Sequence, residues 1–199
     1  SDGYMLPSNR KKKNECNDLK GLDTVRTYFF SRSGIGINAW NRIIRRDFLL
    51  RNRLKFQEGL LWEDNLWTFY VMKYLPHLYL IKDVTYLHYI RPNSITTGSD
   101  LKIRRYHMGL IYNEISNNFT STDRNREAKY YTKGFIVCYI DCPNNELYKK
   151  TAQKFRKELT FWHNPFECLL MSSTVLLSKT QMGKWAFHNM RKAYRRICG

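Results

Sequence analysis

Two acids stand side by side at Glu63 and Asp64, in the run WEDN. Adjacent carboxylates at the mouth of a helix can be given different environments, one fixed by hydrogen bonds while its neighbour faces a cleft. As the N-cap of a helix, Asp64 stays ionised, because the dipole and the free N–H groups of the first turn favour the anion. An ionised carboxylate in that place can accept a proton from a substrate hydroxyl. Taken alone, the pair reads more readily as a capping Asp behind a surface Glu. Other groups offer less. Gly34 and Gly36 in SRSGIGINAW lack the third glycine of a dinucleotide loop and the Lys-Ser/Thr of a Walker loop, so they read as a backbone bend. Cys138 and Cys142 can face one another at i and i+4 on a helix, but no further ligands accompany them and they read as small core residues. Cys16, Cys168 and Cys198 complete an odd set without a CxxC pair, which argues against a disulfide framework and against a zinc ribbon.

The elements that must position these groups follow from hydrophobic period and breakers. Residues 1–24 are polar, basic and interrupted by Gly3, Pro7 and Gly21, which predicts loop with little regular structure. Aromatic and β-branched residues between Thr27 and Ile44 predict a loop feeding a strand around Ile37 to Ile44. Asp47 is positioned to cap a short helix from Phe48 to Asn52. After Asp64, the spacing of Leu66, Phe69, Tyr70, Tyr74 and Leu75 predicts a helix that begins at Asp64 and stops before Pro76. Leu78 to Lys82 and Thr85 to Ile90 read as a strand or strand pair around Asp83. Beyond about residue 100 the texture is helical. Tyr148, Ala152, Phe155, Leu159 and Trp162 form one apolar stripe, and Ala186, Met190, Ala193, Tyr194 and Ile197 form another. The predicted organisation is an α/β unit over 1–99 followed by an α-helical unit over 100–199.

The 199 residues carry 34 Lys and Arg against 17 Asp and Glu, a formal charge of +17, which predicts attraction to something anionic. A 43% hydrophobic and 15% aromatic composition excludes a disordered chain. The longest apolar stretch, Cys168 to Leu177, falls far short of the roughly 20 residues that span a bilayer. The opening SDGYMLPSNRKKK has no apolar h-region and is not a secretory signal; with the cysteine usage, it points to a reducing cytoplasm. The Asn118-Phe119-Thr120 sequon carries no weight there. Six bases and no acid follow Glu167: Lys179, Lys184, Arg191, Lys192, Arg195 and Arg196. That basic, amphipathic C-terminus predicts a peripheral contact with the anionic inner membrane face. Two readings without catalysis compete, a basic nucleic-acid-binding module and a membrane-surface module. Against the first, many of the 14 Tyr lie at core spacings and no RRM, KH or zinc-finger signature is present; no nucleic-acid partner is expected.

The ordered set SGIGINAWNRIIRRDFLLRNRLKFQEGLLWEDNLW, then VTYLHYIRPNSITTG, closely resembles the C-terminal half of the catalytic domain in glycosyltransferase family 2. The matching positions are Trp40, Asn41, Arg45 and Arg46, then Phe56, Glu58 and Gly59, then Glu63 and Asp64, then Tyr86, Arg91 and Ser94. The resemblance covers about residues 33 to 97. It implies a GT-A fold, a nucleotide-sugar donor with a divalent cation, Mn or Mg, and inversion at the anomeric carbon, with the acceptor a glycan or lipid-linked hydroxyl. The second acid of the family's pair deprotonates that hydroxyl, which maps to Asp64, with Glu63 beside it. Trp40, Asn41 and Trp62 then become candidate substrate-binding residues, with both tryptophans either acceptor-cleft walls or core residues. Arg91 is either a partner of the donor diphosphate or a surface arginine. The family's nucleotide-binding half, with its aspartate-rich metal motif, belongs roughly a hundred residues before WEDN, where this chain has 61, and Asp2 has no partner acid. The resemblance therefore implies that the donor and metal half is missing, that no cation binds this chain alone, and that it is inactive by itself. His88 stands where family members carry an aromatic and reads as a packed core residue.

Overall fold

A computed structural model describes residues 4–7, 17–31, 35–81, 86–90, 94, 98, 100–142, 144–159, 164–177, 180, 185 and 189. Arg91, Asp2, Gly34, Asp83, Trp162 and the bases of the C-terminus lie outside these residues, as do the side chain of His88 and the membrane contact predicted for the C-terminal stripe. The chain divides into two units, 1–104 and 105–199.

In the first unit, strand β1 (Tyr4–Pro7) and strand β2 (Asn17–Lys20) occupy the segment expected to be loop. Each is four residues long and pairs antiparallel with a distant strand, which local composition does not reveal. β3 (His77–Leu80) pairs with β2, with Asn17 opposite Leu80, and β4 (Leu87–Ile90) pairs with β1, with Tyr4 opposite Ile90. The two candidate strands of the sequence thus belong to separate ladders and do not pair with each other. Asp18 accepts from Lys20 Nζ of its own strand at 2.9 Å and meets His77 Nε2 across the β2–β3 ladder. The lysine first and the histidine second hold the Asp18 carboxyl below its ordinary range.

Helix α1 (Leu22–Phe30) starts at Gly21, whose φ of 92° is glycine territory and whose N–H reaches the Pro76 carbonyl at 2.8 Å. It therefore includes Thr27 to Phe30, expected to be loop. Its buried Arg26 donates from Nη1 to the Met72 carbonyl at 3.1 Å, placing a cation at the C-terminal turn of helix α3 (Glu63–Tyr74), where the dipole favours it. α3 buries Leu66, Trp67, Thr68, Phe69, Val71 and Met72, so it is covered on most of its circumference. The strand expected at Ile37 to Ile44 is absent: those residues form irregular backbone, with Asn41 at φ 69°. No described strand lies beside them, and a β-prone segment without a ladder partner has no place for its N–H and C=O groups in a sheet. Helix α2 (Arg46–Arg51) begins two residues early, with Arg45 rather than Asp47 at its N-cap and no side-chain cap.

The second unit is helical among the described residues: α4 (Leu101–Asn117, entering from the first unit), α5 (Arg124–Asp141), α6 (Glu146–Glu158) and α7 (Pro165–Leu177). The expected stripe Tyr148, Ala152, Phe155 and Leu159 is buried. Phe135 of α5 is the hub of the core, stacked on Phe155 at 4.9 Å and against Tyr148 at 5.8 Å. Asn145 caps α6, accepting from the backbone N–H groups of Leu147 and Tyr148. The fully buried Glu127 is held by the N–H and hydroxyl of Thr120 at 2.7 and 2.9 Å. Cys138 is buried as expected, beside the guanidinium of Arg105, which also pairs with Asp141. Cys142 ends α5 as its C-cap. Among the described residues, no helix is long and apolar enough to cross a membrane.

Candidate functional site

The acid pair opens α3 one residue earlier than expected. Trp62 is the N-cap, in the left-handed region at φ 59° and ψ 34°, and Glu63 and Asp64 are the first two helical residues. Asp64 therefore does not cap the helix, and no side chain does. Holding a bulky residue left-handed costs on the order of 1–2 kcal/mol, and such backbone persists where its surroundings over-determine it. Two contacts do so: Asn65 Nδ2 donates back to the Trp62 carbonyl at 3.0 Å, and the Arg104 guanidinium lies over the Trp62 ring at 5.5 Å.

The same Asn65 amide donates to Asp64 Oδ1 at 3.0 Å, so one side chain fixes both the turn and the carboxylate. Asp64 is half-buried. Burial first, and the neighbouring Glu63 second, raise its proton affinity above the ordinary carboxylate range, while Asn65 and Arg42 oppose the rise. The direction of the shift is opposite to the one the helix dipole alone would give. A first-turn position favours the anion by a fraction of a kcal/mol when exposed, and partial removal from water outweighs it here.

Thr68 follows Asp64 by four residues and so shares its face of α3. Its hydroxyl donates to the Ile37 carbonyl at 2.7 Å, which pins the 35–41 segment to the face that carries the acid. Within that segment Asn41 takes the left-handed conformation that its short polar side chain tolerates. Trp40 stacks on Tyr86 at 4.4 Å with 29° between the planes. Neither Trp40 nor Trp62 is fully buried. Phe56, also one of the motif positions, stacks on the buried Trp67 at 4.8 Å.

Trp62, Glu63 and Asp64 are thus brought together in one turn, with Trp40 and Asn41 on a segment tied to the same helix, and Arg91 lies outside the described residues. Sequence reasoning missed Asn65, Thr68 and Arg42. An amide directly after an acid pair at a helix start is a readable signal for the first. Thr68 and Arg42 act through contacts that no local pattern encodes. Among the described residues, no group of three His, Cys, Asp or Glu is placed to hold a metal ion, so the divalent cation implied by the resemblance is assigned no ligand here. Comparison with known protein families, curated proteins and solved structures finds no match to this chain.

Proposed function

We propose that this chain carries the acceptor side of an inverting, nucleotide-sugar-dependent glycosyltransferase of the family 2 type, of GT-A architecture, with Asp64 as the general base. The observation that carries the reading is the Asp64 carboxylate itself: oriented by Asn65, partly withdrawn from water, and electrostatically coupled to Arg42. A base is more effective when its proton affinity is raised toward the operating pH, and a nearby cation keeps it anionic before reaction. In the proposed step, the acceptor hydroxyl gives its proton to Asp64 as its oxygen bonds to the anomeric carbon. The bond from that carbon to the donor phosphate oxygen breaks on the opposite face, and the nucleoside diphosphate leaves. Trp40 and Trp62 offer half-exposed indoles against which a glycan or lipid-linked acceptor can stack. Arg91 is proposed to pair with the departing diphosphate.

Assay of nucleoside diphosphate release by the full-length protein, with a set of nucleotide sugars and Mn²⁺ or Mg²⁺, tests the reading. Asp64→Asn keeps the size of the side chain and the acceptor for Asn65, and turnover should fall by about 10² or more, the usual contribution of a positioned base. Glu63→Gln should cost less. The reverse ranking, or near-normal turnover in Asp64→Asn, overturns the assignment.

A further inference from the structure

Arg45, Arg46, Arg51, Arg53 and Lys55 are all exposed, against the single acid Asp47 over the same stretch. Among the described residues, none of the five enters an ion pair. Three apolar side chains stand out among them: Ile43 at 104% exposure, Leu50 at 57% and Phe56 at 47%. The backbone explains the arrangement. At 100° per residue, Arg46, Asp47, Leu50 and Arg51 fall on one arc of α2, and these are its exposed residues, whereas Phe48, Leu49 and the C-cap Asn52 are half-buried. Arg53 then turns left-handed at φ 52°, and Leu54 is buried with its N–H on the Leu49 carbonyl at 2.9 Å. Arg53 and Lys55 are thereby left outward on either side of a fixed anchor. Phe56 is backed by its stack on the buried Trp67. The surface is built on fixed supports, and Ile43, Leu50 and Phe56 stay exposed on it.

We propose that this surface, centred on Ile43, Leu50 and Phe56 with their flanking bases, docks on an anionic lipid bilayer. The bases match the charge of the headgroups, each adding attraction within a Debye length of the surface, and the apolar side chains enter the headgroup–acyl boundary. A nucleic acid fits less well, because it would meet fully exposed aliphatic side chains where it needs stacking platforms. An obligate protein interface gathers apolar residues at a core and keeps charge at the rim, and here bases and apolar side chains are interleaved. The surface begins one residue after Arg42, which is coupled to Asp64. That the docked surface presents Asp64 to lipid-linked acceptors rests on the transferase reading; the docking itself does not.

Sedimentation of the full chain with vesicles of phosphatidylglycerol and phosphatidylcholine, against pure phosphatidylcholine, tests the proposal. The parent should bind the anionic vesicles in preference, and salt should weaken the binding. Replacing Arg45, Arg46, Arg51 and Arg53 together by Gln should weaken it at least about tenfold. Ile43→Ser with Leu50→Ser, which keeps every charge and removes only exposed side chains, should also weaken it at least about tenfold, while binding of a single-stranded oligonucleotide stays as in the parent. Thermal melts should show neither variant less stable than the parent. Parent-like vesicle binding by either variant overturns the proposal and moves the membrane contact elsewhere, and equal binding of the parent to neutral vesicles overturns it too. Asp64→Asn should bind vesicles like the parent and, in the complete enzyme, lose transfer, so the docking surface and the transferase reading fail separately.

Discussion

In the proposed role of general base, the Asp64 carboxylate is asked for two things that conflict. A base needs raised proton affinity, and the burial that raises it makes the anion costly to fold around. The folded state holds the proton more tightly than the unfolded chain, whose value is near the ordinary 3.8. The stabilising contribution is therefore complete below that value and is lost as pH rises through the folded one. At neutral pH the parent carries the cost of the anion. Asp64→Asn should then unfold at the same temperature as the parent or higher, with the difference shrinking toward acid pH, in melts followed by circular dichroism. A lower melting temperature at neutral pH would mean that the carboxylate is a stabilising cap. The adjacency of Glu63 and Asp64 was legible in the sequence. The sign of the shift was not, because it depends on how far the folded chain withdraws the carboxylate from water. The cap was misplaced by two residues for a related reason: capping preference points to Asp, whereas Asn65 and Arg104 hold Trp62 in the conformation that starts the helix.

Elements were legible where their period was long and their partners near in sequence. Beyond residue 100 the helical texture was legible as a whole, and α6 buries the described residues its stripe names. The short strands at 4–7 and 17–20 do not, because a four-residue strand is specified by its partner, here some sixty to eighty-six positions away. Close approach between helices was also invisible. A Cβ at Gly134 of α5 would lie 2.2 Å from the Tyr112 hydroxyl and 3.3 Å from its ring. Tyr112 has little freedom to withdraw, since its ring packs edge-on against Phe135 at 5.7 Å and Phe155 at 6.5 Å. Helix propensity favours Gly134→Ala by up to about 1 kcal/mol, and overpacking opposes it by roughly 1–3 kcal/mol, so the substitution should destabilise on balance. Denaturant titration should show the loss, and a smaller loss in a Tyr112→Phe background. An unchanged midpoint would mean that α4 and α5 can separate without cost.

The whole molecule holds +17 formal charges, and mutual repulsion among them works against the compact state. Added sodium chloride shortens the Debye length to about 10 Å at 0.1 M, so the melting temperature should rise from very low salt toward that range. A flat or falling profile would show that the bases are already neutralised by pairing. The same self-repulsion is what an anionic surface would relieve.

The two strand ladders of the first unit are nested: residue 17 meets residue 80 inside a closure that joins residue 4 to residue 90. During synthesis neither ladder can begin until its later strand has left the ribosome, and the outer one must wait for the last of residues 87–90. Closing such long loops spends chain entropy before any contact repays it. The helices that follow draw on neighbours close in sequence and carry no such delay. The order of emergence is therefore not the order of readiness: the acid pair at 63–64 leaves the ribosome well before the frame around it can close, and the helical segment translated after that frame is made of the parts that need to wait least.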